Sequence, residues 1–303
     1  MTPLLSVVVT ITDGESHLDR CLRALTTQTG APPLEIIVPV CASLENSAEL
    51  RRRWPQVRVV EMDNGAPRGR HMAHWLYDRR RSVGLRAANG ELIAITEDHA
   101  IPEATWCATI VELHRAPYGV IGGAIEYAGS GLLNRAVYLC DFGRYQRPFS
   151  AAVAEYVSDI NVSYKRGVLM KCADAWSGYY HETAVHGRLR AEGETLWLSP
   201  KLVVRYDRGS LQWTELLPER FYWGRVFAGR RAQCMPRLRR ALYAALSPAL
   251  PLLLLSRRIR SRKHLFSLAA APFMLILMCA WACGEFTGYA TAQPFPAKGD
   301  ASG

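Results

Sequence analysis

The sequence predicts an α/β chain: a doubly wound, mostly parallel sheet followed by C-terminal hydrophobic helices. Three observations point there. Short aliphatic runs recur between residues 6 and 96, separated by segments of helical period. Those runs are apolar throughout rather than alternating, as strands buried on both faces require. Near the C-terminus two longer apolar segments appear, each introduced by a cluster of arginines.

In order, SVVVTI (6–11) is a β-branched run that reads as a central parallel strand. SHLDRCLRALTTQ (16–28) follows as a helix with Leu18, Cys21, Leu22 and Leu25 on one face, capped by Asp13 or Ser16 and stopped by Gly30, Pro32 and Pro33. LEIIVPV (34–40) is a second strand, SLENSAELRRRW (43–54) a second helix and VRVVEM (57–62) a third strand. The stretch 64–90 is a polar loop running into a helix that ends at Asn89 and Gly90, and ELIAIT (91–96) is the fourth strand. The middle is less regular: a helix over 105–116, a strand with a double glycine at 122–123, a helix over 181–193, and a short strand, TLWLSP (195–200), closed by its proline. The first strand ends in TDG rather than GxGxxG, and GxxxxGKT is absent, so the common dinucleotide and P-loop fingerprints are excluded.

The chain has 303 residues and 49% hydrophobic composition, enough for a substantial core. Its formal charge is +10, gathered in RRRW (51–54), RRR (79–81), RLRR (237–240) and RRIRSRK (257–263). Nucleic acid, anionic lipid and an anionic substrate all fit such charge. The last two clusters flank apolar segments and no nucleic-acid recognition module is present, so no nucleic-acid partner is expected. The eight cysteines show no C-x-x-C pairing and are read as buried free thiols. The opening residues lack the features of a signal peptide, which predicts a cytoplasmic main domain.

The apolar segments are ALYAALSPALPLLLLS (241–256), interrupted by Pro248 and Pro251, and HLFSLAAAPFMLILMCAWACG (264–284). The second is long enough to cross hydrocarbon and is expected to span as a transmembrane helix, with both arginine clusters cytoplasmic and the C-terminal tail on the far side; the first suits the interface or a re-entrant path. A buried helical hairpin packed on the domain is the alternative.

LIAITEDHAIP (92–102) ends an apolar run in Glu97, Asp98 and His99. Two readings stand: an acidic turn, or a metal or phosphate site at the carboxyl end of a parallel strand, where open α/β sheets place their chemistry.

Over residues 4–230 the chain resembles the family 2 glycosyltransferases, inverting enzymes of the GT-A fold. SVVVTITDGESHLDRCLRAL matches the family's first strand and helix, with Thr10, Thr12 and Asp13 at altered positions. LEIIVPVCAS stands where the family's second strand ends in paired aspartates; here Val40 and Cys41 occupy those positions. RSVGLRAANGELIAITEDHAIPEATW matches the block that carries the family's Asp-x-Asp motif. The resemblance therefore implies Glu97 and His99 as ligands of a divalent metal, Mn²⁺ or Mg²⁺, and Asp98 as a contact to the ribose or sugar. Arg81 or Arg86 could replace the metal as the cation. INVSYKRGVL puts Asn161 near the donor sugar, or is a plain strand and turn. YYHETAVHGRLRAEG aligns with the family's catalytic acidic pair, so Glu182 inherits the role of base, against a bland alternative as a helix-capping carboxylate. LQWTELLPERFYWGRVFAGRRAQ resembles the amphipathic segment that closes over the diphosphate, implicating Trp223 and Arg225, or is an interfacial helix. Asp207 stands where some relatives carry a histidine ligand.

The resemblance implies a GT-A-like catalytic domain over 1–232, a membrane-associated helical region over 233–290 and a flexible tail over 291–303. It implies transfer from a nucleoside-diphosphate sugar to a lipid, lipid-linked or polysaccharide acceptor at the cytoplasmic face of the inner membrane. Partners would be the nucleotide sugar, the acceptor, the membrane and other envelope-assembly proteins. The alternative is a non-catalytic glycosyltransferase-like scaffold in envelope glycan assembly, favoured by the changes at Val40, Cys41, His99 and Asp207.

Overall fold

The computed structural model describes residues 3–12, 15–63, 72–233, 235–261 and 267–294. The chain divides into two compact units, Met1–Ala128 with Tyr145–Asp207, and Gly129–Arg144 with Arg208–Gly303.

The first unit holds the sheet. Its strands are β1 (Leu5–Thr10), β2 (Leu34–Cys41), β3 (Val57–Met62), β4 (Leu92–Glu97), β5 (Ala100–Pro102), β6 (Val120–Tyr127), β7 (Ala152–Val153), β8 (Val162–Lys165) and β9 (Leu196–Tyr206). The helices are α1 (Glu15–Thr26), α2 (Ser47–Arg53), α3 (Met72–Ala87) and α4 (Trp106–Leu113). The second unit contributes α5 (Leu132–Asp141). Returning to the first, α6 (Arg166–Lys171), α7 (Ala173–Trp176) and α8 (Glu182–Ala191) lead into β9.

The sheet order is β3-β2-β1-β4-β8-β6-β9-β5, with β7 pairing β9. Strands β1 to β4 are parallel, with Val8 opposite Ile95 and Thr10 opposite Glu97. The wholly buried runs of β1 and β4 explain their unbroken aliphatic sequence, since both faces are covered there. The expectation of a mostly parallel sheet holds for this half and gives way beyond it. Strand β8 runs antiparallel to β4 and to β6, while β6 and β9 are parallel and β5 and β7 lie antiparallel on β9. The sheet is therefore mixed.

Two boundaries differ from those expected. Helix α2 starts at Ser47 rather than Ser43, because Asn46 accepts the Glu49 N–H at 3.1 Å and makes the cap. Pro200 does not end its strand. It falls in a bulge where the partners of β6 jump from Ser199 to Val203, so its missing N–H breaks no ladder bond.

The core beneath the β4 end joins Val8, Ile37, Ile93, Ile95 and Leu85 to Tyr164, Trp176, Val185 and Leu189. Helix α3 approaches β1 closely. A Cβ on Gly84 would lie 2.3 Å from Val8 Cγ1, so only glycine allows this packing.

The second unit is helical: α5, α9 (Trp213–Gln233), α10 (Arg237–Leu246), α11 (Leu250–Ser261) and α12 (Ala271–Thr291). The two prolines do not interrupt the first apolar segment. Pro248 lies in a 3₁₀ turn, Ser247–Ala249, and Pro251 is the second residue of α11, a first-turn position that needs no N–H. Two 24-residue helical runs result, Arg237–Arg260 with mean hydropathy 1.3 and Leu268–Thr291 with 1.7, both long and apolar enough to cross a membrane. Among the described cysteines, Cys21, Cys41, Cys107 and Cys172 are buried as expected, but Cys279 and Cys283 are exposed on α12.

Candidate active site

Because β1 and β4 are parallel and in register, both deliver their last residues to one edge. Thr10 pairs with Glu97 across the strands, and the chain continues into Asp98 and His99. All four side chains are nearly wholly buried. The Asp98 N–H donates to the Thr10 carbonyl at 3.0 Å, and the Asp98 carboxylate takes the Thr12 N–H at 3.1 Å to each oxygen. Asp98 thus ties the end of β1 to the end of β4, and that hold engages both its oxygens. His99 packs against His17 with ring centroids 4.2 Å apart and planes tilted by 44°, and its Nδ1 is 3.2 Å from the Asp207 carbonyl. Asp207 in turn pairs with Arg20 at 2.8 Å.

Glu97 begins a longer network. The Tyr77 hydroxyl donates to Glu97 Oε2 at 2.5 Å. The Arg81 guanidinium lies 3.5 Å from the centre of the Tyr77 ring and bonds Asp159 at 2.5 Å. The Asp159 N–H donates to Glu182 Oε2 at 3.0 Å. One chain of contacts therefore joins β4, α3, the turn before β8 and the start of α8. The Thr96 hydroxyl bonds the Ile160 carbonyl at 3.0 Å and holds that turn against β4.

Electrostatics follow from burial. Burial raises the Glu97 carboxyl to about 7, opposed by His99, the Tyr77 hydrogen bond and Arg81. Glu182 is raised well above the usual carboxylate range, first by burial and then by the charge and side-chain hydrogen bond of Asp159. Glu182 keeps its proton because a second negative charge beside Asp159, out of water, is costly. Beneath α8, Tyr164 bonds both the Tyr180 hydroxyl at 2.6 Å and His186 Nε2 at 2.8 Å. His186, one turn after Glu182, is lowered to about 4 by burial and stays neutral.

The expected site residues divide accordingly. Thr10, Glu97, Asp98, His99, Arg81 and Glu182 belong to this edge and its network. Glu182 caps no N–H of its own helix; its bond goes to Asp159. Arg86 does not join them. It is exposed and donates to the Ser177 carbonyl, five residues and about 140° around α3 from Arg81. Asn161 is buried with its amide committed: Nδ2 donates to Ala124 O at 2.8 Å and Leu202 O at 3.1 Å, and Oδ1 accepts from Trp106 at 2.9 Å. It stabilises the bulge rather than facing a ligand. A Cβ on the neighbouring Gly123 would lie 2.2 Å from the Leu202 carbonyl and 2.3 Å from Asn161 Nδ2. Gly123→Ala should accordingly cost about 1–3 kcal/mol in a denaturant titration, whereas Gly187→Ala, with open space around it, should not destabilise. Trp223 and Arg225 lie on α9 in the second unit. Asp13 lies outside the described residues.

Sequence reasoning missed Asp159 and Tyr77. Asp159 sits two residues before Asn161 in SDIN, and nothing in its spacing pairs it with residue 182. It also missed Glu45, which accepts the Cys41 N–H at 2.7 Å and pairs with buried Arg80. A carboxylate thus reaches the end of β2 after all, from four residues downstream, but it is already neutralised by a cation.

The Glycosyl transferase family 2 model matches residues 6–171, more than half of the chain. The chain belongs to this family. The match covers β1 through α6, and so includes the Glu97–His99 triplet, Arg81 and Asp159, while Glu182 lies just beyond it. No curated protein matches the chain. Among solved structures it is similar to S. aureus TarS residues 1–349 in complex with UDP-GlcNAc, at 15% identity and a TM-score of 0.45. That similarity covers 69% of this chain and 59% of the TarS chain.

Proposed function

We propose that this family 2 member is an inverting glycosyltransferase that moves a sugar from a nucleoside-diphosphate sugar to a hydroxyl of a lipid, lipid-linked or polysaccharide acceptor. The observation that carries the reading is the Asp159–Glu182 carboxyl pair, joined through Arg81 and Tyr77 to the acidic end of β4. An inverting transfer needs one base, which takes the acceptor proton as the oxygen attacks the anomeric carbon. Burial and the Asp159 charge hold a proton on Glu182 at rest; once that proton has left, Glu182 is the carboxylate that receives the acceptor proton as the nucleoside diphosphate leaves. Arg81, locked between Tyr77 and Asp159, fixes Asp159 beside Glu182.

Among the described residues no group of three or more His, Cys, Asp or Glu side chains could hold a metal ion. With Asp98 engaged by Thr12, this reading assigns the two metal donors to Glu97 and His99. That suits an Mn²⁺ or Mg²⁺ ion whose remaining ligands are diphosphate oxygens and water. Such an ion would neutralise charge on the departing diphosphate. Mn²⁺ should tighten nucleoside-diphosphate binding in calorimetry, and His99→Ala should remove most of the gain. Equal affinity with Mn²⁺ and with a chelator would reject the metal.

In this reading the sheet-bearing unit is the catalytic one, on the cytoplasmic face, and the apolar helices attach it to the membrane near its acceptor. Incubating the purified protein with a panel of nucleotide sugars and extracted lipid or glycan acceptors, with and without Mn²⁺, tests the whole. Donor binding without transfer to any acceptor would favour a scaffold.

A further inference from the structure

We propose that the C-terminal helices lie flat in one leaflet of an anionic bilayer and that no part of them crosses it. The inference rests on the membrane attachment proposed above and specifies its form.

Helix α12 is largely apolar, its one charged residue, Glu285, being buried and bonded to Trp281, but one side of the helix is taken by protein. Helix α9 runs beside it in the same direction from end to end. Trp213 stacks near Phe273 at 5.8 Å, and Pro294 meets Gly229. Between them the backbones touch through glycines. A Cβ on Gly224 would come within 2.2 Å of the Trp281 carbonyl, one on Gly284 within 2.0 Å of the Phe221 carbonyl, and one on Gly288 within 2.5 Å of the Arg225 carbonyl. Both helices have 21 residues, about 31 Å at 1.5 Å per residue, which matches a hydrocarbon core of about 30 Å. If α12 crossed the bilayer, α9 would cross with it, carrying Glu215, Glu219, Arg220, Arg225, Arg230 and Arg231. Charged side chains at bilayer depth are strongly disfavoured.

The surfaces left uncovered run along the helices. On α10 and α11, Leu238, Leu242, Leu246, Leu252 and Leu253 are between 46% and 83% exposed. On α12, Ile276, Cys279, Cys283 and Phe286 recur every three or four residues and are also exposed. Arginines stand at both ends of the α10–α11 run: Arg237, Arg239 and Arg240 at its start, Arg257, Arg258 and Arg260 at its close. A crossing helix would leave one cluster on the far side, whereas a helix in the plane of the leaflet keeps both at anionic headgroups.

The test uses single cysteines at Gln233, Arg260 and Gln293 in an otherwise cysteine-free full-length protein, expressed in cells and probed with an impermeant maleimide. Gln233 ends α9, Gln293 lies two residues past the end of α12, and Arg260 lies at the close of the α10–α11 run. The expected result is labelling of all three in inverted membrane vesicles and of none in intact cells. Labelling of Gln293 in intact cells, with Gln233 beside it, means α12 crosses and α9 with it, and labelling of Arg260 alone means both apolar runs cross as a hairpin; either overturns the flat arrangement while leaving attachment intact. Release of the wild-type protein by high salt alone would overturn attachment itself. With purified protein, Leu246→Asp should lose sedimentation with phosphatidylglycerol vesicles and keep its circular dichroism spectrum. If that variant instead splits a soluble oligomer and sediments as before, a second copy of the chain covers the face and the proposal fails.

Discussion

Glu182→Gln should reduce sugar transfer by roughly 10²-fold or more, the scale of a lost general base, while donor affinity stays within a few-fold. The glutamine preserves size and can still accept the Asp159 N–H, so the effect reports the carboxylate rather than the fold. The pH profile carries a sharper signature. A base must be unprotonated, and burial and Asp159 hold the Glu182 proton on well above the usual carboxylate range. The wild-type rate should therefore climb with pH along an acid limb displaced upward. Asp159→Asn removes the neighbouring negative charge, so that limb should move to lower pH even as the maximum rate falls. A variant whose rate drops equally at every pH would show Asp159 to be only a structural neighbour. Near-normal turnover in Glu182→Gln would remove the base assignment altogether.

Arg81→Met should destabilise the protein by about 3–5 kcal/mol, the range for removing one partner of a buried ion pair. The Arg81 side chain is 1% exposed, stacks on Tyr77 and is the cation held against Asp159. Without it Asp159 and Glu182 share an uncompensated charge. Arg81→Lys should recover little, because an ammonium does not reproduce the planar stacking and forked donation. Arg52 makes a comparison: its pair with Glu49 is 76% and 34% exposed, and such surface pairs contribute about 0–1 kcal/mol. Urea titration of Arg81→Met and Arg52→Ala should separate the two. Similar midpoints would mean the Arg81 network contributes nothing particular to stability.

Much of the first unit was legible because its signal is local. SVVVTI, LEIIVPV, VRVVEM and ELIAIT announce strands by composition, and the helix between the first two is announced by the period of Leu18, Cys21, Leu22 and Leu25. The end of β4 was legible for the same reason: an apolar run that stops at Glu97 is visible in eleven residues. The antiparallel half of the sheet was not, since β6, β8 and β9 pair across tens of residues and no pattern in GGAIEY or NVSY states a partner. The resemblance of INVSYKRGVL to a family segment implies a donor-sugar contact for Asn161. Its real partners, two carbonyls and an indole, come from three separate segments.

The sequence by itself determined the family, the α/β class, the acidic end of β4 and the two apolar runs, because each depends on residues adjacent in the chain or on their period. Only the tertiary structure decided the chemistry between them. Tyr77, Arg81, Asp159 and Glu182 are distributed over 106 positions, from residue 77 to residue 182, yet they form one network through contacts of hydrogen-bond or van der Waals length. Burial and proximity set whether a carboxyl keeps its proton, and neither is a property of a residue's neighbours in the chain. The same holds for the tail. Hydropathy marks α12 as able to cross a membrane, but its pairing with the charged helix α9 depends on glycines some 60 residues apart that let two backbones touch.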